Sequence, residues 1–491
     1  MRTRYRFVSL VALIALLVSI APAMAGAAPL VAVKIAATGP LGASGATVWG
    51  QGVVRAAQLA VQDYNSELTS AGLTLSVAQF DDEGESSVAL SNVTPIVADS
   101  AILGVVGHVN SGCAMAAAPG YSANHLALVT GACTNPALTQ MGLNNVFRTC
   151  ATDAGQATYS GDIAAKNLRL TKAYVVNDNT YYGSLMANGF SRRFKTAGGK
   201  VVGSATVSQW QTNFASLVKK IKAKKPSAVY YGGWYEGGGR LAKQLKAAGV
   251  KAQFIGPDGL IDPTFVSRAS RTKAEGALAT TVGLPIDQMP GGAAFQARYL
   301  ASFPGNSPLL SDAYAYDAAV AVIKAMIAVS SENTAGALQS PGARELVRAK
   351  VAQSSFAGVT GSVGFGASGD TKYPAFSAWR VKSGAWKPCA NVTIPSVPTG
   401  IRALMPIYVS GWIRPAHTSG SKPVTLRFWR KVGSKWVLGK TVAAVVTGSG
   451  FEAEYVARVT LRSKGYWRVV ASHSDGSHAP MDSPARFFNV K

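Results

Sequence analysis

The chain has 491 residues, 48% of them apolar, and 48 Lys and Arg against 24 Asp and Glu give a net charge of +24. That length suits two or three ordinary domains, and the apolar content excludes a disordered chain. The charge is dispersed, with +10 of it in residues 395–491, and no basic cluster interleaved with aromatics marks a nucleic-acid surface.

At the N-terminus, Arg2, Arg4 and Arg6 precede an apolar run from Phe7 to Ile20, followed by Ala21-Pro22-Ala23-Met24-Ala25. This is the pattern of a signal peptide over residues 1–25, cleaved after Ala25. No cysteine follows the run, so lipid attachment is not expected and the mature chain is expected to be periplasmic or secreted. No later stretch approaches the ~18 consecutive apolar residues of a membrane span.

From Val31 to about Trp386, short apolar runs alternate with amphipathic helical stretches. Val31–Ala37, Leu73–Phe80, Ile102–Gly107, Leu126–Thr130, Ala173–Asn177, Val201–Val207 and Ala228–Gly232 read as strands. Gln51–Asn65, Ser87–Asp99, Gly155–Asn167, Ser184–Thr196 and Gly238–Ala248 read as helices. Strand, helix, strand at this spacing predicts right-handed βαβ units and parallel sheets covered on both faces. Some 355 residues of it exceed one doubly wound domain, so two lobes are expected. The dense lysine run, Lys219, Lys220, Lys222, Lys224 and Lys225, falls late in a predicted helix, where cations meet the negative end of the helix dipole.

Several segments fall at predicted C-terminal strand ends, where open parallel sheets bind ligands. After Ile102–Val106, Gly107-His108-Val109-Asn110-Ser111-Gly112 places Ser111 at the N-cap of a helix through Ala114–Ala118. Its hydroxyl and the free amides of the first turn suit a carboxylate, or Ser111 merely caps its own helix. Val129 to Pro136 leaves the next strand with exposed backbone groups. In the second half, Tyr230-Tyr231-Gly232-Gly233-Trp234 and Gly256-Pro257-Asp258-Gly259 offer an aromatic wall and an acid for an ammonium group. Asp258 before glycine is also an ordinary turn aspartate.

These segments, with Asn145-Val146-Phe147-Arg148-Thr149 and the run from Tyr230 through Ala247-Ala248-Gly249 to Gly259, resemble the leucine/isoleucine/valine-binding protein family of ABC importers, over about residues 31–386. The resemblance implies a two-lobed type I periplasmic-binding-protein fold, with two doubly wound parallel sheets joined by a hinge. Lobe 1 would take residues 29–151 and 282–375, and lobe 2 residues 152–281 and 376–390. By the same resemblance Ser111 and Thr134 hold a ligand carboxylate. Thr134, the Ala132 carbonyl and Asp258 hold its ammonium, and Trp49, Val109, Asn110, Tyr182 and Trp234 surround its side chain. Where the best-known members have glutamate this chain has Asp258, shorter by one methylene. Trp49 and Trp234 stand where tyrosines are common. The implied function is delivery of a branched-chain or similar amino acid to a membrane permease by a monomeric, cofactor-free receptor. Relatives that bind amides, urea or aromatic acids supply the alternative.

Beyond Pro395-Ser396-Val397-Pro398, read as a stiff linker, period-two strands replace helices. Ile407–Ile413, Val424–Arg430, Trp436–Val442, Tyr455–Leu461, Trp467–Ser472 and Arg486–Val490 predict a small Ig-like β-sandwich over residues 397–491. Arg427, Arg430, Arg458, Arg462 and Arg468 give it a basic surface.

Catalytic motifs are missing: there is no GxSxG, P-loop, HExxH or strand-borne GxGxxG, so no enzyme is expected. Of the five histidines, His108 lies near the predicted cleft without a nucleophile or acid partner and reads as structural. His473 and His478 share a turn-rich tip that could take a stray metal, but no metal site is expected. Cys113, Cys133, Cys150 and Cys389 match no metal motif. In an oxidising compartment at least one disulfide is expected, with the pairing open.

Overall fold

The computed structural model describes residues 29–42, 47–448 and 452–491; the expected signal peptide lies outside them. The central apolar runs, 102–106, 127–130 and 228–232, become strands because their side chains are buried on both faces, as parallel sheets require, while the edge runs are half exposed. In the first lobe β1 (Val31–Gly39), β2 (Leu73–Asp81), β3 (Ile102–Val106), β4 (Ala127–Thr130) and β5 (Val146–Arg148) form a parallel sheet in the order β2-β1-β3-β4-β5. In the second, β6 (Lys172–Asn177), β7 (Lys200–Thr206), β8 (Ala228–Gly232), β9 (Gln253–Gly256) and β10 (Leu278–Val282) run parallel in the order β10-β9-β8-β6-β7.

After β10 the chain returns to the first lobe. There it forms the helix Leu310–Glu332 and the hairpin β11 (Ser355–Ala357) and β12 (Ser362–Gly364). It then adds β13 (Phe376–Lys382) and β14 (Ala385–Pro388) antiparallel to the edge of the second sheet. The helix Leu310–Glu332 is, among the described residues, long and apolar enough to cross a membrane by length and composition. It is instead a core element, packed with Val53, Ala57 and Ala60 of the helix Thr47–Asp63 in the first lobe's hydrophobic cluster.

Helix ends follow local chemistry. Thr152 and Thr180 cap their helices by accepting the amides of Gly155 and Gly183. The lysine run ends the helix Ala215–Lys224, with Lys225 in the left-handed conformation.

The C-terminal strands are antiparallel: β15 (Asn391–Val392), β16 (Pro406–Arg414), β17 (Val424–Val432), β18 (Lys435–Thr447), β19 (Ala453–Thr460), β20 (Gly465–His473) and β21 (Arg486–Val490). Strand β18 is the pivot, pairing with β17 along its first part and β19 along its last. The expected linker is a correction. Val397 is buried in the C-terminal core with Ile401, Val409 and Leu426, and Ser396 pairs with Ser410, so residues 395–398 belong to this unit and do not space it. The basic face is also partly occupied: Arg427 pairs with Asp482 at 2.9 Å, and Arg468 stacks over Trp429 and Trp436 at 4.9 and 4.8 Å.

The expected disulfide does not form; all four cysteines are separate buried thiols. Cys133 Sγ points at the carbonyls of His108 and Val109, 3.0 and 3.6 Å away, and Cys150 Sγ at the carbonyl of Cys133, 3.7 Å away. Cys389 sits apart, with the second lobe's core. Burial pushes Cys113, Cys133 and Cys150 up to about 12, which leaves them protonated and unreactive.

Candidate functional site

The segments singled out in the sequence leave the C-terminal ends of β3, β4, β8 and β9. In the first lobe, the N-cap of the helix Ser111–Ala123 is Asn110, not Ser111, and no side chain caps it. The expectation was off by one residue because Asn110 keeps extended dihedrals while Ser111 already turns helically. The consequence favours a ligand. First-turn amides carry no side-chain partner, and the Ser111 hydroxyl faces the next loop, accepting the Asn135 amide at 3.3 Å.

That loop, residues 131–135, is held from beneath. The Arg148 guanidinium is fully buried and donates to the carbonyls of Cys133 and Asn135 at 2.9 and 3.0 Å and to Thr139 Oγ1 at 2.7 Å. Its Nε pairs with Asp370 at 2.7 Å. Gly131 lies so close to the backbone of Tyr314 and Ala315 that a Cβ there would collide with it. Ala132 and Thr134 are thereby set at the first lobe's edge. Val109 and the helix bearing Trp49 share that edge: Val109 and Gly50, the residue after Trp49, both crowd Gly39.

The second lobe supplies the acids. Asp258 accepts from the Tyr182 hydroxyl, from Thr281 Oγ1 at 3.3 Å and from the Gly259 amide at 3.1 Å. Tyr182 in turn packs on Trp234, ring centroids 5.2 Å apart. One residue was missed. Asp153 opens the helix Asp153–Asp162, is 7% exposed, and its amide meets the Thr134 carbonyl at 2.9 Å, joining the lobes. Its place after Thr152 looked like an ordinary first-turn acid, which is why sequence reasoning passed over it.

Burial, then the neighbouring charge of Asp258, pushes Asp153 up to about 7. Burial likewise raises Asp258, against the hydrogen bonds of Tyr182, Gln156 and Thr281. Among the described residues neither acid forms an ion pair, and the charge of Arg148 offsets the burial of Asp153 only in part. Trp49 and Trp234, each 46% exposed, leave apolar faces uncovered, and Asn110 is exposed. His108 takes no part: its ring is buried, with Nδ1 2.6 Å from Asp82 and Nε2 3.3 Å from the Tyr121 hydroxyl. A cavity of about 600 Å³ bounded by Ile261, Pro263, Val266 and Trp386 contains none of these residues.

The profile of the periplasmic binding protein family matches residues 32–385. The chain belongs to the Leu/Ile/Val-binding branch of that family. The Leu/Ile/Val-binding protein BraC3 of Rhizobium johnstonii is 32% identical over 353 residues, 71% of this chain and 90% of that protein. Among solved structures, the leucine-binding protein LivK of Thermotoga maritima covers 72% of this chain and 97% of its own, at TM-score 0.59 and 24% identity. A solute-binding protein of R. palustris in complex with benzoate covers 73% and 95%, at TM-score 0.55 and 22% identity. These last two show the fold alone. The family profile ends at residue 385, so the C-terminal strands lie beyond the part of the chain that it matches.

The acid pair predicts a pH dependence. Because Asp153 is raised to about 7 from an unfolded value of roughly 3.9, its contribution favours the ligand-free fold at low pH and is lost as pH rises from about 4 through 7. A cationic ligand reverses the sign, since it needs the carboxylate. Affinity for a ligand with an ammonium group should fall by up to about tenfold per unit as pH drops below 7. Calorimetric titrations at pH 6, 7 and 8, with Asp153→Asn flattening the profile, check this.

Proposed function

We propose that this protein is an exported receptor that closes its two lobes around a branched-chain or similar amino acid and presents it to the permease of an ABC importer, without catalysis. The observation that carries the reading is the opposition of two poles. An uncapped helix N-terminus with Ser111 stands on one lobe, and the acids Asp258 and Asp153 stand on the other, meeting at the Thr134–Asp153 contact. Amides at a helix N-terminus and a hydroxyl suit a carboxylate. Buried acids suit an ammonium. In this reading Ser111 and Thr134 take the carboxylate, and Asp258 takes the ammonium with Asp153, Thr134 and the Ala132 carbonyl. Trp49, Val109, Asn110, Tyr182 and Trp234 line the side-chain end.

The magnitudes suit reversible capture. Two or three charge-assisted hydrogen bonds contribute about 1.5–3 kcal/mol each, and a buried aliphatic side chain about the same. Less association costs, this leaves about −8 kcal/mol, a micromolar dissociation constant. Covering Trp49 and Trp234 adds to the closed form, and only that form offers both lobes to a membrane partner.

A second reading, an aromatic acid without an ammonium, draws on the three aromatic rings and on the benzoate complex of the R. palustris protein. It leaves Asp153 and Asp258 without a counter-charge. A thermal-shift panel on the mature protein separates the two. Leucine, isoleucine or valine at a hundred times its Kd should stabilise by about 2.7 kcal/mol, and benzoate or leucinamide should not. Stabilisation by benzoate alone would overturn the amino-acid reading.

A further inference from the structure

The C-terminal strands carry a constellation unrelated to the cleft. His417 lies in the loop after β16, His473 ends β20, and Asp475 and His478 follow in the loop to β21. One ligand atom from each lies within 4.8 Å of all the others. Asp475 Oδ2 is 2.7 Å from His417 Nε2, 3.0 Å from His473 Nε2 and 3.0 Å from His478 Nδ1, and the Nε2 atoms of His417 and His473 are 3.1 Å apart. Zinc bonds of about 2.0–2.1 Å put tetrahedral ligand atoms roughly 3.3 Å apart, close to these separations.

The outer atoms are arranged as ligand supports. His417 Nδ1 meets the Pro415 carbonyl at 2.9 Å, and His478 Nε2 meets Asp287 Oδ2 at 2.9 Å. Each of those contacts takes a ring N–H, which leaves the inward nitrogen as a lone pair. Asp475 Oδ1 accepts the Ser477 amide at 2.8 Å, so Oδ2 is the oxygen turned inward. Two imidazole nitrogens and a carboxylate oxygen then converge with His473 Nε2 on one point, the arrangement that a divalent cation would fill.

We propose that His417, His473, Asp475 and His478 bind a zinc ion. Three imidazoles and a carboxylate are a borderline donor set suited to zinc, and four protein ligands leave no open position, as in a structural site. The site ties the C-terminal unit to the receptor body. Asp287 lies just beyond β10 where the chain returns to the first lobe, and Lys382 of β13 donates to the Asp475 carbonyl at 2.6 Å. Arg169 of the second lobe reaches Asp482 of the same module at 2.8 Å.

The test uses the full mature chain without a histidine tag. Stripped of metal, mixed with zinc and gel-filtered, it should retain one zinc per chain, gain thermal stability, and show the intense visible bands of tetrahedral Co²⁺ when cobalt replaces zinc. His417→Gln, at a partly exposed ligand, should lose zinc retention while leucine binding is unchanged. Should that variant fail to fold, Asp287→Asn, at an exposed support, should weaken zinc affinity by about 10–100-fold. A wild-type chain that retains no zinc, or no more than His417→Gln, or one whose affinity ignores Asp287→Asn, overturns the proposal. The zinc and cobalt readouts do not depend on the amino-acid reading of the cleft.

Discussion

Asp258→Ala should weaken leucine binding by at least about 2 kcal/mol, roughly thirtyfold, because the ligand ammonium would be buried beside one acid in place of two. The carboxylate is built into the site before any ligand arrives: Tyr182, Thr281 and Gly259 all donate to it. Truncation therefore removes a positioned acceptor and leaves three donors facing an empty space. Removing an acid that burial raises offsets part of the cost of those orphaned donors, so stability should fall by less than affinity does. A loss of affinity larger than the loss of stability is the signature of a binding residue. Equilibrium titration together with urea unfolding reads both, and an unchanged Kd would remove Asp258 from the site.

The second large effect is expected at Arg148. Arg148→Met should cost about 3–5 kcal/mol of stability, because the carbonyls of Cys133 and Asn135 and the Thr139 hydroxyl lose their buried donor, at about 1–3 kcal/mol each, while Asp370, partly exposed, adds little. A loss of that size lowers the melting temperature by roughly 6–20 °C in a domain of this size. Ligand affinity should fall too, since the same guanidinium holds the loop that carries Ala132 and Thr134. A variant within 1 kcal/mol of wild type in denaturant titrations would show that the loop is held by other means.

The architecture was legible wherever one physical pattern dominated. Val31–Gly39 and Ala228–Gly232 announce themselves as buried strands by mostly apolar runs, and residues 424–428 by strict alternation. Strand-end loops then place Ser111, Thr134, Trp234 and Asp258, because parallel sheets expose their C-terminal ends together. What escaped was long-range. Arg148 finds Asp370 far along the chain, after it has passed through the second lobe and returned to the first. Asp153 is distinctive only through its burial and its neighbour Asp258, neither of which local sequence records. The thiols sit close in sequence but point at carbonyls, so compartment and spacing misdirected the disulfide. His473 and His478 were visible as a pair, whereas His417 joins them only through the fold of β16 against the rest of the sheet.

The central claim is that the cleft recognises a zwitterion by opposite poles on its two lobes. Isothermal titration of the mature protein with leucine, with leucinamide and with the deaminated acid 4-methylpentanoate tests it most directly. Leucine should bind near micromolar. Each analogue should bind at least about a hundredfold more weakly, because each leaves one pole buried and unpaired, at about 1.5–3 kcal/mol per lost charged hydrogen bond. Equal binding of leucine and 4-methylpentanoate would contradict the account, since Asp153 and Asp258 would then face no charge in the complex.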